Sequence, residues 1–198
     1  MSASYVIAMA GIEDLLNKTD GPTFEAGVIK AARLAINKTA DHSRSYAADV
    51  MMRNVNFPSS FLRGNQSKLT VSQKASDGNL EAIITGRSTP TSLARFVSSQ
   101  ASGGLRVSVK RGSSKLIKSA FIMNLRSGAT SLNNKGLAVR TDGRKPRGAY
   151  KPKEIAPGLW LLYGPSVDQV FKNVRSEITP HIEDYLAAEF NRVWDLDL

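Results

Sequence analysis

The chain has 198 residues, with 27 lysines and arginines against 17 aspartates and glutamates, and no cysteine. That length suits one domain, residues 1–198, around a single well-buried core. The missing thiols exclude disulfides, thiolate metal sites and cysteine nucleophiles, as suits assembly in a reducing cytoplasm.

The net charge of +10 is unevenly placed. Residues 1–60 are neutral, with six charges of each sign. Residues 61–153 carry eighteen basic side chains against three acidic ones, and residues 154–198 carry three basic against eight acidic. A basic centre followed by an acidic end fits either a nucleic-acid face or opposite-sign surfaces that meet between subunits. Only two histidines occur, His42 and His181, far apart in sequence. A histidine metal cluster or a Ser-His-Asp relay therefore has little to draw on.

In chain order, Met1–Gly11 is apolar but lacks a basic leader and soon meets Glu13 and Asp14, so it reads as an N-terminal arm (1–23) and not as a signal peptide. Nothing approaches the roughly 18 consecutive apolar residues of a membrane span. Gly21, Pro22 and Thr23 mark the start of a long helix (24–56), since proline suits the first turn and threonine can cap free N–H groups. Val28/Ile29, Ala32, Ala35/Ile36, Thr39/Ala40, Ser43, Tyr46/Ala47 and Val50/Met51 recur at helical spacing, while Lys30, Arg33, Lys38, Asp41, Arg44, Asp49 and Arg53 fall on the other side. His42 belongs beside that polar side.

The period then changes. Leu69–Gln73 alternates, Ala75-Ser76-Asp77-Gly78 offers turn chemistry, and Leu80–Thr85 completes a hairpin. Leu105–Val109, a turn at Gly112-Ser113 and Leu116–Leu125 predict a second hairpin, with shorter strands at Leu137–Arg140 and Leu159–Tyr163. Three runs read as loops within this sheet region (67–163). They are serine-rich Ser88–Gly104, small and polar Ser127–Gly136, and Thr141–Pro157, an extended mobile loop with three prolines.

C-terminal helices (165–195) close the chain. Ser166-Val167-Asp168-Gln169 matches a capping box. Val167, Val170, Phe171, Val174 and Ile178 form one apolar face, and Thr179-Pro180 restarts or kinks the helix, placing His181 in a first turn at the surface. Ile182, Leu186, Phe190 and Val193/Trp194 continue the stripe, and Phe190 and Trp194 are its candidate subunit contacts. The fold class is α+β: a long N-terminal helix, a mainly antiparallel β-sheet with extended loops, and C-terminal helices packing on the sheet.

No Walker loop, GxGxxG turn, HExxH, paired CxxC or GxSxG elbow is present. The central region holds only Asp77, Glu81 and Asp142 as carboxylates, too few for a two-carboxylate hydrolase site. Neither catalytic residues, nor cofactor, nor metal are expected. The strongest candidate surface is basic: Arg140, Arg144, Lys145, Arg147, Lys151 and Lys153 face one acid, Asp142, with Tyr150 as a stacking ring. Such a segment suits an acidic protein partner, or a phosphate backbone held without reading its sequence.

Several passages resemble the prophage minor tail protein Z family, the lambda-type tail-completion proteins. These are Thr89–Phe96, Leu105–Val109, Ser119-Ala120-Phe121-Ile122, Gly136–Arg140, Tyr163–Val167 with Val170-Phe171, and Leu186–Phe190, in the family's order. The resemblance covers Thr89 to Trp194 in detail, and the N-terminal helix by architecture. It implies a non-enzymatic virion protein in the tail or neck, assembled in the host cytoplasm. There it would form a homo-oligomeric ring that joins the tail tube and its terminator to the head-tail connector, with passing contact to genomic DNA and none to membrane. The alternative is a non-sequence-specific nucleic-acid-binding protein using the basic centre.

Overall fold

The computed structural model describes residues 4–12, 14, 21–64, 67–125, 134–147 and 151–197. Strand β1 (Ser4–Ala8) precedes the long helix α1 (Pro22–Asn54) and the single turn α2 (Ser59–Leu62). Next come β2 (Leu69–Gln73), β3 (Glu81–Gly86), β4 (Thr91–Ser92), a 3-10 turn (Leu93–Phe96) and β5 (Val97–Ala101). Strands β6 (Gly104–Val107), β7 (Lys115–Lys118), β8 (Ala120–Asn124), β9 (Lys135–Arg140), β10 (Lys151–Ala156) and β11 (Leu159–Gly164) lead into helix α3 (Val167–Asp197). The fold is α+β, and every ladder among the described residues is antiparallel.

Helix α1 forms where its period predicts. Most of its expected stripe, from Val28 through Ala32, Ala35, Ile36, Thr39, Ala40, Ser43 and Ala47 to Val50 and Met51, is buried, while Ile29 and Tyr46 are half-buried at its margins. Most of these side chains are small, so the backbone of α1 can be approached closely, and α3 runs antiparallel along it. Arg53 meets Glu177 at 3.6 Å near one end of the pair, and the Phe24 and Trp194 rings meet edge-on at 5.0 Å near the other. The capping box holds α3 at its start: Gln169 N donates to Ser166 Oγ and Ser166 N to Gln169 Oε1, each at 3.1 Å. In place of several C-terminal helices there is one, continuous through Pro180. Proline removes a single ladder donor there, while Ile178 and Ile182 on either side are buried and keep the helix seated.

The strands form three sheets, ordered β1-β3-β2, β10-β11-β9-β8 with β4 also on β11, and β5-β6-β7. The first hairpin, β2 with β3, is as expected. Four expectations need correction. Part of the N-terminal arm is strand β1, paired along its whole length with β3 because Tyr5-Val6-Ile7 supplies β-forming residues. Ser88–Gly104 is largely structured and not an exposed loop. Thr91, Leu93, Ala94 and Phe96 are buried, Ser92 Oγ caps the 3-10 turn, and the serines of β5 lie on its outer side.

Leu116–Leu125 is not one strand. At Ser119, with φ of 56°, the chain leaves β7, which pairs with β6, and enters β8, which pairs with β9. A left-handed residue re-aims the chain between two sheets. The second half of Thr141–Pro157 is the edge strand β10, paired with β11. An edge strand tolerates Pro152, whose missing N–H is not needed on the outer side. Of the expected loop Ser127–Gly136, Lys135 and Gly136 belong to β9, and the stretch up to residue 133 lies outside the described residues.

One continuous core joins α1, the sheets and α3, running from Ile7 and Ile84 through Met51, Leu62, Leu93 and Val107 to Leu137, Leu162 and Phe171. Among the described residues, no helix is long and apolar enough to cross a membrane.

Candidate assembly interface

Where β7 turns away from β9 and β11, the corner at Ser119 leaves a cleft of about 310 Å³. Ile117, Val139, Leu162 and Pro146 give it an apolar floor, and Lys115, Lys118, Arg140 and Arg147 give it a cationic rim. No carboxylate or histidine occurs among the described residues that line it. Such a site attracts an anionic group and offers apolar area to whatever carries it.

The basic residues singled out in the sequence divide between this cleft and its surroundings. Arg140, at the end of β9, and Arg147 line it. Arg144 and Lys145 are exposed on the turn just before, where Thr141 Oγ1 donates to the Arg144 carbonyl at 2.7 Å and Gly143 N to the Thr141 carbonyl at 2.8 Å. Lys151 and Lys153 sit two apart on β10, exposed on a strand edge and not on a mobile loop. Tyr150 lies outside the described residues.

Sequence reasoning missed Lys115 and Lys118. Their signal is a pair of cations bracketing Leu116-Ile117 in a four-residue strand, and only the turn at Ser119 brings them opposite Arg140. A second cationic cluster was also missed. The guanidinium of Arg95 lies 4.5 Å from the centre of the Phe61 ring and that of Arg87 5.2 Å from it. Burial lowers the pKa of each, and for Arg95 the neighbouring Arg87 charge adds to the effect.

Phe190 and Trp194 are half-buried and stack at 6.1 Å, and Trp194 is covered from within the chain by Phe24. Leu196, near this end, is strongly exposed, at 72%.

The two histidines, 139 residues apart in sequence, are neighbours in space, and His181 is at the surface as expected but in the middle of α3 and not in a first turn. His42 Nε2 on α1 and His181 Nε2 on α3 are 3.0 Å apart, with Tyr185 stacked on His42 at 3.8 Å and Tyr46 against His181 at 4.1 Å. No group of three or more metal-ligating side chains occurs among the described residues. An N–H···N bond needs one nitrogen free to accept, so the contact holds only while at least one ring is neutral. Burial, then His181, then Lys38 lower the pKa of His42 below 6.5.

The unfolded chain therefore binds a proton at His42 over a pH range where the folded chain does not. Stability is full above 6.5 and declines as pH falls from there toward the depressed value. Melting temperature should rise between about pH 5 and pH 7.5 by no more than about 2–4 °C, because the pair is solvent-screened. His42→Gln should flatten that rise in thermal scans.

Comparisons with protein-family models, with curated proteins and with solved structures found no match.

Proposed function

We propose that this chain is a non-catalytic structural protein of a tailed-phage virion. In this reading it is of the tail-completion type, ringed with copies of itself at the head-proximal end of the tail, where it joins the tail tube to the head-tail connector. The cleft between β7 and β9 is the observation that carries the reading. It offers an apolar floor and a cationic rim to a partner, and no acid-base pair lines it among the described residues. The passages quoted for the family resemblance support it further, since each falls on a regular element, in chain order: β4 with the 3-10 turn, β6, β8, β9, the end of β11 and α3. The test is to label the chain in purified particles and find whether it lies at the neck.

The same four rim cations favour a second reading, a nucleic-acid-binding protein that follows phosphates without reading bases. That reading requires a lone monomer to shift DNA in a gel, with affinity falling steeply as salt rises, and the loss to be blunted by Arg140→Glu with Arg147→Glu.

A further inference from the structure

The charge asymmetry of the chain becomes a spatial one in the fold. The last turn of α3 carries Asp195 and Leu196 exposed, the latter at 72%, and Asp197 follows in the sequence. This acidic, apolar end lies by Phe24 at the start of α1. The cationic cleft lies toward the other end. Val55 bridges to Lys110, Asn56 N donates to the Val109 carbonyl at 2.8 Å, and Lys115 is the ladder partner of Val107, two residues before Val109.

From Phe24 to Asn54 the helix spans about 45 Å at its standard rise. Lys115 lies within about 20 Å of the helix's far end, since Arg111 N donates to the Asn54 carbonyl and four residues of chain follow. More than about 20 Å therefore separates Phe24, beside which α3 ends, from Lys115 of the cleft. The two surfaces fit each other in kind, but only between molecules.

Resting on the assembly reading above, we propose that the end of α3 of one copy docks in the β7–β9 cleft of the next. Leu196 enters the apolar floor of Ile117, Val139 and Leu162, and the carboxylate of Asp195 faces Arg140, Arg147 and Lys118. The cleft's 310 Å³ holds one leucine side chain with a carboxylate beside it. The contact joins two different patches, so each copy offers the cleft at one pole and the exposed Asp195-Leu196 turn of α3 at the other. Repetition then closes a ring when the rotation per step allows it.

Because the chain has no cysteine, introduced thiols report this contact cleanly. Full-length Leu196→Cys and full-length Ser119→Cys chains are mixed under mild oxidation, with Ser72→Cys, exposed on β2, in place of Ser119→Cys as the background. The proposal expects cross-linking of Leu196→Cys to Ser119→Cys at least tenfold faster than to Ser72→Cys. Arg140→Glu with Arg147→Glu in the Ser119→Cys chain should remove that advantage, and Asp195→Lys in the other chain should restore it. Cross-linking at background rate, or indifferent to charge reversal, overturns the docking contact. If the unaltered chain still sediments as an oligomer in that case, self-assembly stands and another surface makes it. If it sediments as a monomer at every concentration and is absent from particles, the assembly reading falls and the docking contact with it.

Discussion

Replacing Phe171 with alanine should cost about 3–5 kcal/mol of folding stability, the range for deleting a large ring from a packed core. Phe171 has no exposed surface and heads the side chains that are fully buried. Tyr5 of β1 lies 6.3 Å from its ring, and the Arg175 guanidinium 5.5 Å. The site is where α3 locks the first strand to the helix pair, since Tyr5 Oη also lies 3.0 Å from Thr179 Oγ1 and Arg175 donates to the Ser4 carbonyl. The cavity is therefore bounded by β1 and α3, which cannot close over it without losing these contacts. Urea unfolding checks this, with Leu196→Ala as the comparison. That exposed change should alter stability by less than about 0.5 kcal/mol.

Gly104→Val should open the β6–β7 ladder and take the cleft with it. Gly104 pairs with Lys118, and any Cβ there would collide with the Ile117 carbonyl oxygen and stand 3.0 Å from Lys118 Cα. The obstruction is backbone, so no side-chain rotation relieves it, and β7 must move. With β7 go Lys115 and Lys118, half of the cationic rim, and the bond from Ser119 N to the Gly103 carbonyl that holds the corner. Hydrogen exchange at residues 115–118 should accelerate at least tenfold, the equivalent of about 1.4 kcal/mol of lost local protection. Gly78→Ala, where a Cβ meets nothing within 4 Å, should leave these amides unchanged.

What the sequence made legible were the elements whose signals are local. Helix α1 was readable because one face of thirty-odd residues repeats at helical period, and the start of α3 because Ser166 and Gln169 satisfy each other three residues apart. The β2–β3 hairpin was readable through its turn. Elements set by distant pairing were not. Strand β10 looks like a basic, proline-broken loop until β11 supplies its partner, and β5 hides its pairing behind serines that face outward. The division of Leu116–Leu125 rests on one positive φ at Ser119, a residue type that gives no warning of it. The cleft was half legible. Arg140 and Arg147 stood out as part of a basic run, whereas Lys115 and Lys118 join them only through the three-sheet topology. The His42–His181 contact was invisible for the same reason, since nothing within either helix announces the other.

The central proposition is that this molecule works by being held between copies of itself and its neighbours at the neck of a virion. Localisation in intact particles tests that most directly, by imaging virions that carry a small density tag on this chain and counting where the tag appears. The account predicts several tags per particle arranged as a ring between head and tail. Mature particles that carry no tag, while infected cells contain the chain in full amount, would contradict it.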